Sequence, residues 1–135
     1  ALASGLTPGQ IRSGLSIFSA ATKAFENFIT DLGHDMYFAE PLYYHNAIIF
    51  ERYGFKYQTG KKLMTRIQDE FTQDTEVSRS LDAKSIFRHP DTKESIRLRS
   101  WAIHDGILGE PFSNVTMYKE VGKSAELNTA KGCRW

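Results

Sequence analysis

The segment HNAIIFERYGFKY, residues 45–57, constrains the fold more than any other part of the chain. Tyr44, Ala47 and Ile48 fall on one face at helical spacing. Pro41 can open that helix, at a position where a missing N–H costs nothing. Gly54 can take the left-handed backbone that helix stops often need. Directly after it, FKY resumes with β-prone residues. A helix over roughly 41–53 must therefore turn at Gly54, and Phe55 must enter the core as the chain leaves the turn.

The flanking segments extend this into an alternation. Thr7-Pro8-Gly9-Gln10 has the form of a capping box with Pro at the first helical position. Ile11, Leu15, Phe18, Ala21, Phe25, Phe28 and Leu32 then recur every three or four residues, which predicts a helix up to Gly33 with that stripe in the core. Gly14 weakens its first turns, so the start is expected nearer Ser13. MYFAE, residues 36–40, reads as a short strand. Leu63, Met64, Ile67 and Phe71 mark a helix over 61–72. Residues 72–85 are polar and loop-like. Asp91 and Glu94 precede a short helix over about 92–104. VTMYKEV, residues 115–121, alternates as a strand. Helix, strand, helix and strand with short joints favour an α+β fold, a small mixed sheet with packed helices. Residues 1–121 read as a single domain or as part of a larger one whose N-terminal half is absent, and residues 122–135 as a frayed polar tail.

Composition narrows the classes. At 135 residues, with 41% hydrophobic and 13% aromatic residues, the chain can fill one core and is unlike a disordered segment. A net charge of +1, with acids and bases interspersed, argues against a nucleic-acid surface. No apolar run approaches membrane-spanning length, so no membrane partner is expected. The N-terminus lacks the charged and apolar regions of a signal peptide. The single cysteine, Cys133, fits a reducing, cytoplasmic setting.

Residues 13–57 resemble the C-terminal half of the GCN5-related N-acetyltransferase family. RSGLSIFSAATKAFENFITDLG is similar to the family's long helix, MYFAE to the strand after it, and YHNAIIFERYGF to the helix ending in A-x-x-F-Y-E-x-x-G-F. Glu51, Gly54 and Phe55 match in register. Val115 to Val121 would be the last strand, reached through a long insertion. The resemblance implies an acyl-CoA-dependent N-acyltransferase domain or fragment that uses acetyl-CoA or another acyl-CoA. An amine of a small molecule or peptide would attack the thioester directly. Arg12, Ser13, Gly14 and Leu15 would face the coenzyme pyrophosphate. The chain departs from the pattern in three places. The pyrophosphate turn is only hinted at by Gln10, Arg12, Gly14 and Ser16. The acid tyrosine falls on Phe50, which leaves Tyr43 or Tyr44 as stand-in. The family's first half has no room before residue 13.

From the residues alone, Tyr43, Tyr44 and His45 are the candidate catalytic group. A phenol can protonate a leaving thiolate, and an imidazole titrates near neutrality. The same cluster also suits an aromatic surface with its polar tips in water. Glu40 and Glu51 can act as bases, although carboxylates at helix ends more often lie exposed. His34-Asp35 and His104-Asp105, with His45 or His89, lack the tight spacing of a metal site, and none is expected. Trp101 in IRLRSW is expected to be buried beneath a solvated arginine face. Two alternatives stand beside the transferase. One is a non-catalytic binding or assembly module, as a homodimer or with the Phe18, Phe25 and Phe28 stripe seating a partner segment. The other is an unrelated small-molecule enzyme using His45 and His104.

Overall fold

A computed structural model describes the backbone of residues 8–135 and the side chains of residues 19–135. The helices are α1 (Pro8–Asp31), α2 (Tyr44–Arg52), α3 (Lys61–Thr72), the single turn α4 (Glu76–Arg79) and α5 (Ile96–His104). The strands are β1 (Met36–Ala39), β2 (Lys56–Thr59) and β3 (Thr116–Glu120). Two 3₁₀ turns, Ile86–Arg88 and Pro90–Glu94, lead into α5. Ser95 separates the second turn from α5 and caps the helix, its Oγ accepting the Leu98 N–H.

The sheet order is β1-β3-β2, with both pairings antiparallel. The expected mixed sheet is therefore not what forms. β1 and β2, joined through α2, run in the same direction, but β3 inserts between them and removes the parallel contact. Met117 and Val115 face the core from the central segment, with Tyr37, Ala39 and Tyr57 beside them. Tyr44, Ala47 and Ile48 of α2, Met64, Ile67 and Phe71 of α3, and Ile96, Ala102 and Ile103 of α5 complete that core.

The Gly54 joint forms as the sequence requires. Gly54 has φ +92° and donates its N–H to the Glu51 carbonyl at 3.1 Å. Phe55 follows at 2% exposure, its ring 4.9 Å from Phe50 and 5.3 Å from Tyr37. The segment 122–125 passes so close that a Cβ on Gly54 would lie 2.9 Å from the Ser124 Cα.

Three expectations are corrected. The described part of the α1 stripe is not core: Phe25, Phe28 and Leu32 are 46, 59 and 60% exposed, and the side chains of Ile11, Leu15 and Phe18 lie outside the described residues. The buried line is instead Glu26 and Ile29. A buried ion pair turns the helix that way. Lys119 Nζ on β3 donates to Glu26 Oε2 at 2.7 Å, Tyr37 donates to the same oxygen at 2.5 Å, and the Gly122 N–H reaches Oε1 at 3.3 Å. Second, Glu51 is buried rather than exposed. It accepts hydrogen bonds from the Tyr57 hydroxyl, the Thr129 N–H (2.9 Å) and the Thr129 hydroxyl (2.5 Å). Third, residues 122–135 are not frayed, because that carboxylate holds them. Ala130 is buried, the Arg134 N–H bonds the Glu94 carbonyl, and the N–H groups of Ile96 and Arg97 bond the carbonyls of Arg134 and Trp135.

The Glu26 cluster makes stability depend on pH. Burial alone would raise this carboxyl's pKa, but hydrogen bonds from Lys119, Tyr37 and Gly122 outweigh it and hold the carboxyl below the ordinary value. The folded state thus binds its proton less readily than the unfolded chain. The resulting stabilisation is complete above the ordinary carboxylate pKa and is lost as pH falls through the depressed value. Urea unfolding from neutral to acid pH should show that loss, and Glu26→Gln should flatten it. An unchanged pH dependence in E26Q would refute the assignment.

Candidate functional site

The chain leaves β1 at Ala39, and α2 starts after the buried Pro41. Asn46 Oδ1 accepts the Tyr43 N–H at 3.2 Å and so fixes the first turn. α5 packs against α2 here. Ser100 of α5 serves α2 directly: its Oγ accepts the His45 N–H at 3.4 Å and lies 2.8 Å from His45 Nδ1. A free N–H of the first turn thus finds its partner on another helix.

Between the two helices lies a cleft of about 290 Å³, lined by Tyr43, His45, Arg97, Ser100, Trp101 and His104. Tyr43 stacks on the His45 imidazole with centroids 5.7 Å apart and planes 6° from parallel. His104 meets Tyr43 edge-on at 5.9 Å and Trp101 at 6.1 Å. Trp135, from the docked terminal segment, meets the other side of His45 at 6.3 Å. A second cavity of about 150 Å³ shares Tyr43, Ser100 and His104 and extends toward Phe112.

Burial, with the positive charge of Arg97 as the lesser cause, holds the His45 pKa below the ordinary imidazole value. The ring is therefore neutral at neutral pH. With Nδ1–H donating to Ser100 Oγ, Nε2 keeps a free lone pair; in the other tautomer the Ser100 hydroxyl donates to Nδ1. The cleft offers a neutral imidazole, a phenol, a guanidinium and an indole face. That set suits a small partly apolar ligand with an anionic or proton-exchanging group.

The proposed residues divide. Tyr43 and His45 line the cleft together. Tyr44 does not line this cleft: at 1% exposure it is buried, with Arg99 Nη1 donating to its hydroxyl at 3.2 Å, and it borders the second, smaller cavity. Burial, partly offset by Arg99, pushes its pKa up to about 12, so it is a poor proton donor to a ligand. Arg12, Ser13, Gly14 and Leu15 lie inside α1, which begins at Pro8 rather than near Ser13. A helix leaves free only the N–H groups of its first turn, here residues 9–11, since Pro8 has none. The side chains of residues 12–15 lie outside the described residues.

Arg97, Ser100 and Trp101 were missed as site residues, and His104 was considered only with His45. Their signal is the spacing 97, 100, 101, 104, one helical face. The expected solvated arginines over a buried Trp are reversed. Trp101 is 41% exposed and stacks on Phe87 at 5.9 Å, while Arg99 is fully buried. Among the described residues no three His, Cys, Asp or Glu side chains converge as a metal site, and no helix is long and apolar enough to cross a membrane.

Compared with known proteins, the chain matches no family model, no curated protein and no solved structure.

Proposed function

We propose that the domain is an acyl-CoA-dependent N-acyltransferase type of scaffold whose chemistry gathers in the α2–α5 cleft. The observation that supports this reading is the Gly54–Phe55 joint, which closes a helix–strand–helix–strand unit in the order the resemblance implies. The same unit carries Tyr43 and His45 to one cleft. On this reading the roles are these. Neutral His45 accepts a proton from the attacking amine through Nε2, with Nδ1 held by Ser100. Tyr43, exposed at the rim, is the phenol that protonates the departing thiolate. Phe50 is packed on Phe55 and has no proton to give. A coenzyme phosphate at α1 would sit at residues 9–11, with Arg12 adjacent.

Coenzyme A should raise the melting temperature saturably, by an amount equivalent to about 2.7 kcal/mol at a hundredfold excess over Kd. With acetyl-CoA and a panel of small amines, Tyr43→Phe and His45→Ala should each cut turnover by about 10²-fold. Rate should rise with pH as His45 loses its proton, with the inflection below the ordinary imidazole value. A melting temperature indifferent to coenzyme A would overturn the transferase.

A second reading, a non-catalytic binding module on the same scaffold, is favoured by Phe50 at the acid position. It predicts that amines and acids bind in the cleft without turnover.

A further inference from the structure

β1 is an edge strand. It pairs with β3 on one side, and among the described residues nothing pairs with the other. An uncovered edge invites another strand. Here the invitation is reinforced on both faces of the sheet. On the outer face Met36 and Phe38 are 43 and 54% exposed. On the helix face α1 overhangs the same edge. Glu26 points to Lys119 on the central strand, whereas Phe25, one residue earlier and about 100° round the helix, meets Tyr37 on β1 at 5.2 Å. Phe28 and Leu32 share the Phe25 side of α1, which therefore projects past β1.

We propose that this edge and helix face bind a second copy of the same chain, β1 against β1 in antiparallel register about a two-fold axis at Tyr37. Three observations select a second copy. The first is spacing. α1 bonds to both β1 and β3, so it lies over the gap between them. Strands lie about 4.8 Å apart, so a two-fold axis half a spacing beyond β1 places the two α1 helices about 10 Å apart. That is the distance at which helices pack.

The second is side-chain pairing. With Tyr37 on the axis, Met36 faces the second copy's Phe38, and His34 faces its Glu40. The exposed apolar pair becomes a four-residue cluster continuous with Tyr118, which Phe38 already touches at 6.2 Å. A histidine donor meets a carboxylate at each end. A one-residue slip in one direction would place Asp35 against Glu40, and a slip in either direction would set the Met36 and Phe38 face against the opposite one, so both are disfavoured.

The third is area. Five side chains about half exposed offer on the order of 100 Å² each, or about 1,000 Å² over both copies before backbone is counted. That reaches the threshold for a specific interface. The contact is isologous, as two-fold symmetry requires. It does not depend on the acyltransferase reading, because the cleft residues lie outside it.

Sedimentation velocity over a concentration series should show a reversible shift from the 15.3 kDa chain to twice that mass. Phe28→Glu and Phe38→Lys, on opposite faces of the sheet, should each weaken the dimer at least tenfold and leave the far-ultraviolet circular dichroism unchanged. If either variant fails to fold, Met36→Lys supplies the same readout at an equally exposed position. A chain that stays monomeric at its highest soluble concentration, or a dimer that survives both substitutions, overturns the proposal. The patch would then belong to a different polypeptide.

Discussion

Arg99→Ala is expected to lower folding stability by about 4 kcal/mol, the largest effect of any single substitution argued from this fold. Arg99 is fully buried, and among the described residues no carboxylate lies within ion-pair reach. A buried charge without a counter-ion is costly, so its hydrogen bonds must offset the cost. Nε and Nη2 donate to the Lys93 carbonyl, and Nη1 donates to Gln68 Oε1 at 2.7 Å and to the Tyr44 hydroxyl. The guanidinium also lies over the Phe71 ring at 5.3 Å. One side chain thus joins α2, α3, α5 and the 3₁₀ turn before α5. Alanine would leave Gln68 Oε1 without this donor, leave the Lys93 carbonyl only the weak Cys133 thiol bond, and open a cavity among them. In a domain this size the loss corresponds to about 15 °C in melting temperature. Arg99→Met keeps the stem and sheds the charge, and should cost about half as much. Equal stability of wild type and R99A in urea titration would show that the net contributes nothing.

The second large effect is expected at the joint. Gly54→Ala should cost about 3 kcal/mol. The left-handed backbone accounts for about 1–2 of these. The remainder is steric, because the new Cβ would meet the Ser124 backbone and push away the segment whose Ala125 N–H bonds the Gly54 carbonyl at 3.0 Å. Gly33 supplies the control. Its φ is +88°, but nothing lies within 4 Å of a Cβ placed there, so Gly33→Ala should show only the backbone part. Matched urea titrations of the two variants separate the terms. Equal losses would mean that the close approach at Ser124 relaxes without cost.

These two positions also mark where sequence reading succeeds and where it stops. Gly54, Phe55 and the helix over 61–72 were legible because each depends on neighbours in the chain: a stop residue, a periodic face, a cap. The orientation of α1 was not. The described half of its most regular apolar stripe, Phe25, Phe28 and Leu32, is exposed, and Glu26 is claimed instead by Lys119, 93 residues away. No local pattern announces such a partner. The docked terminal segment was hidden for the same reason, since Glu51 captures Thr129 across 78 residues. A polar composition there suggested fraying, yet its polar groups are the ones that bond. In the cleft, Tyr43 and His45 were found as adjacent residues with suitable chemistry. The α5 half was overlooked because Arg97, Ser100, Trp101 and His104 were read along the chain instead of around the helix. Tyr44 parts from Tyr43, bordering the second cavity instead of the cleft. It shares Tyr43's chemistry and sits next to it, but a one-residue step on a helix turns a side chain by about 100°, here from the rim into the core.

The position of β3 carries a consequence for how the molecule is made. It is the last strand in the sequence and the middle one in space, with Met36 opposite Glu120 on one side and Lys56 opposite Tyr118 on the other. Neither earlier strand has a partner until it arrives. Without β3 the segments carrying β1 and β2 can form helices but not this sheet, and closing both pairings requires ordering long intervening stretches at once. The sheet is therefore expected to form only when β3 joins it, after the helices that local sequence favours.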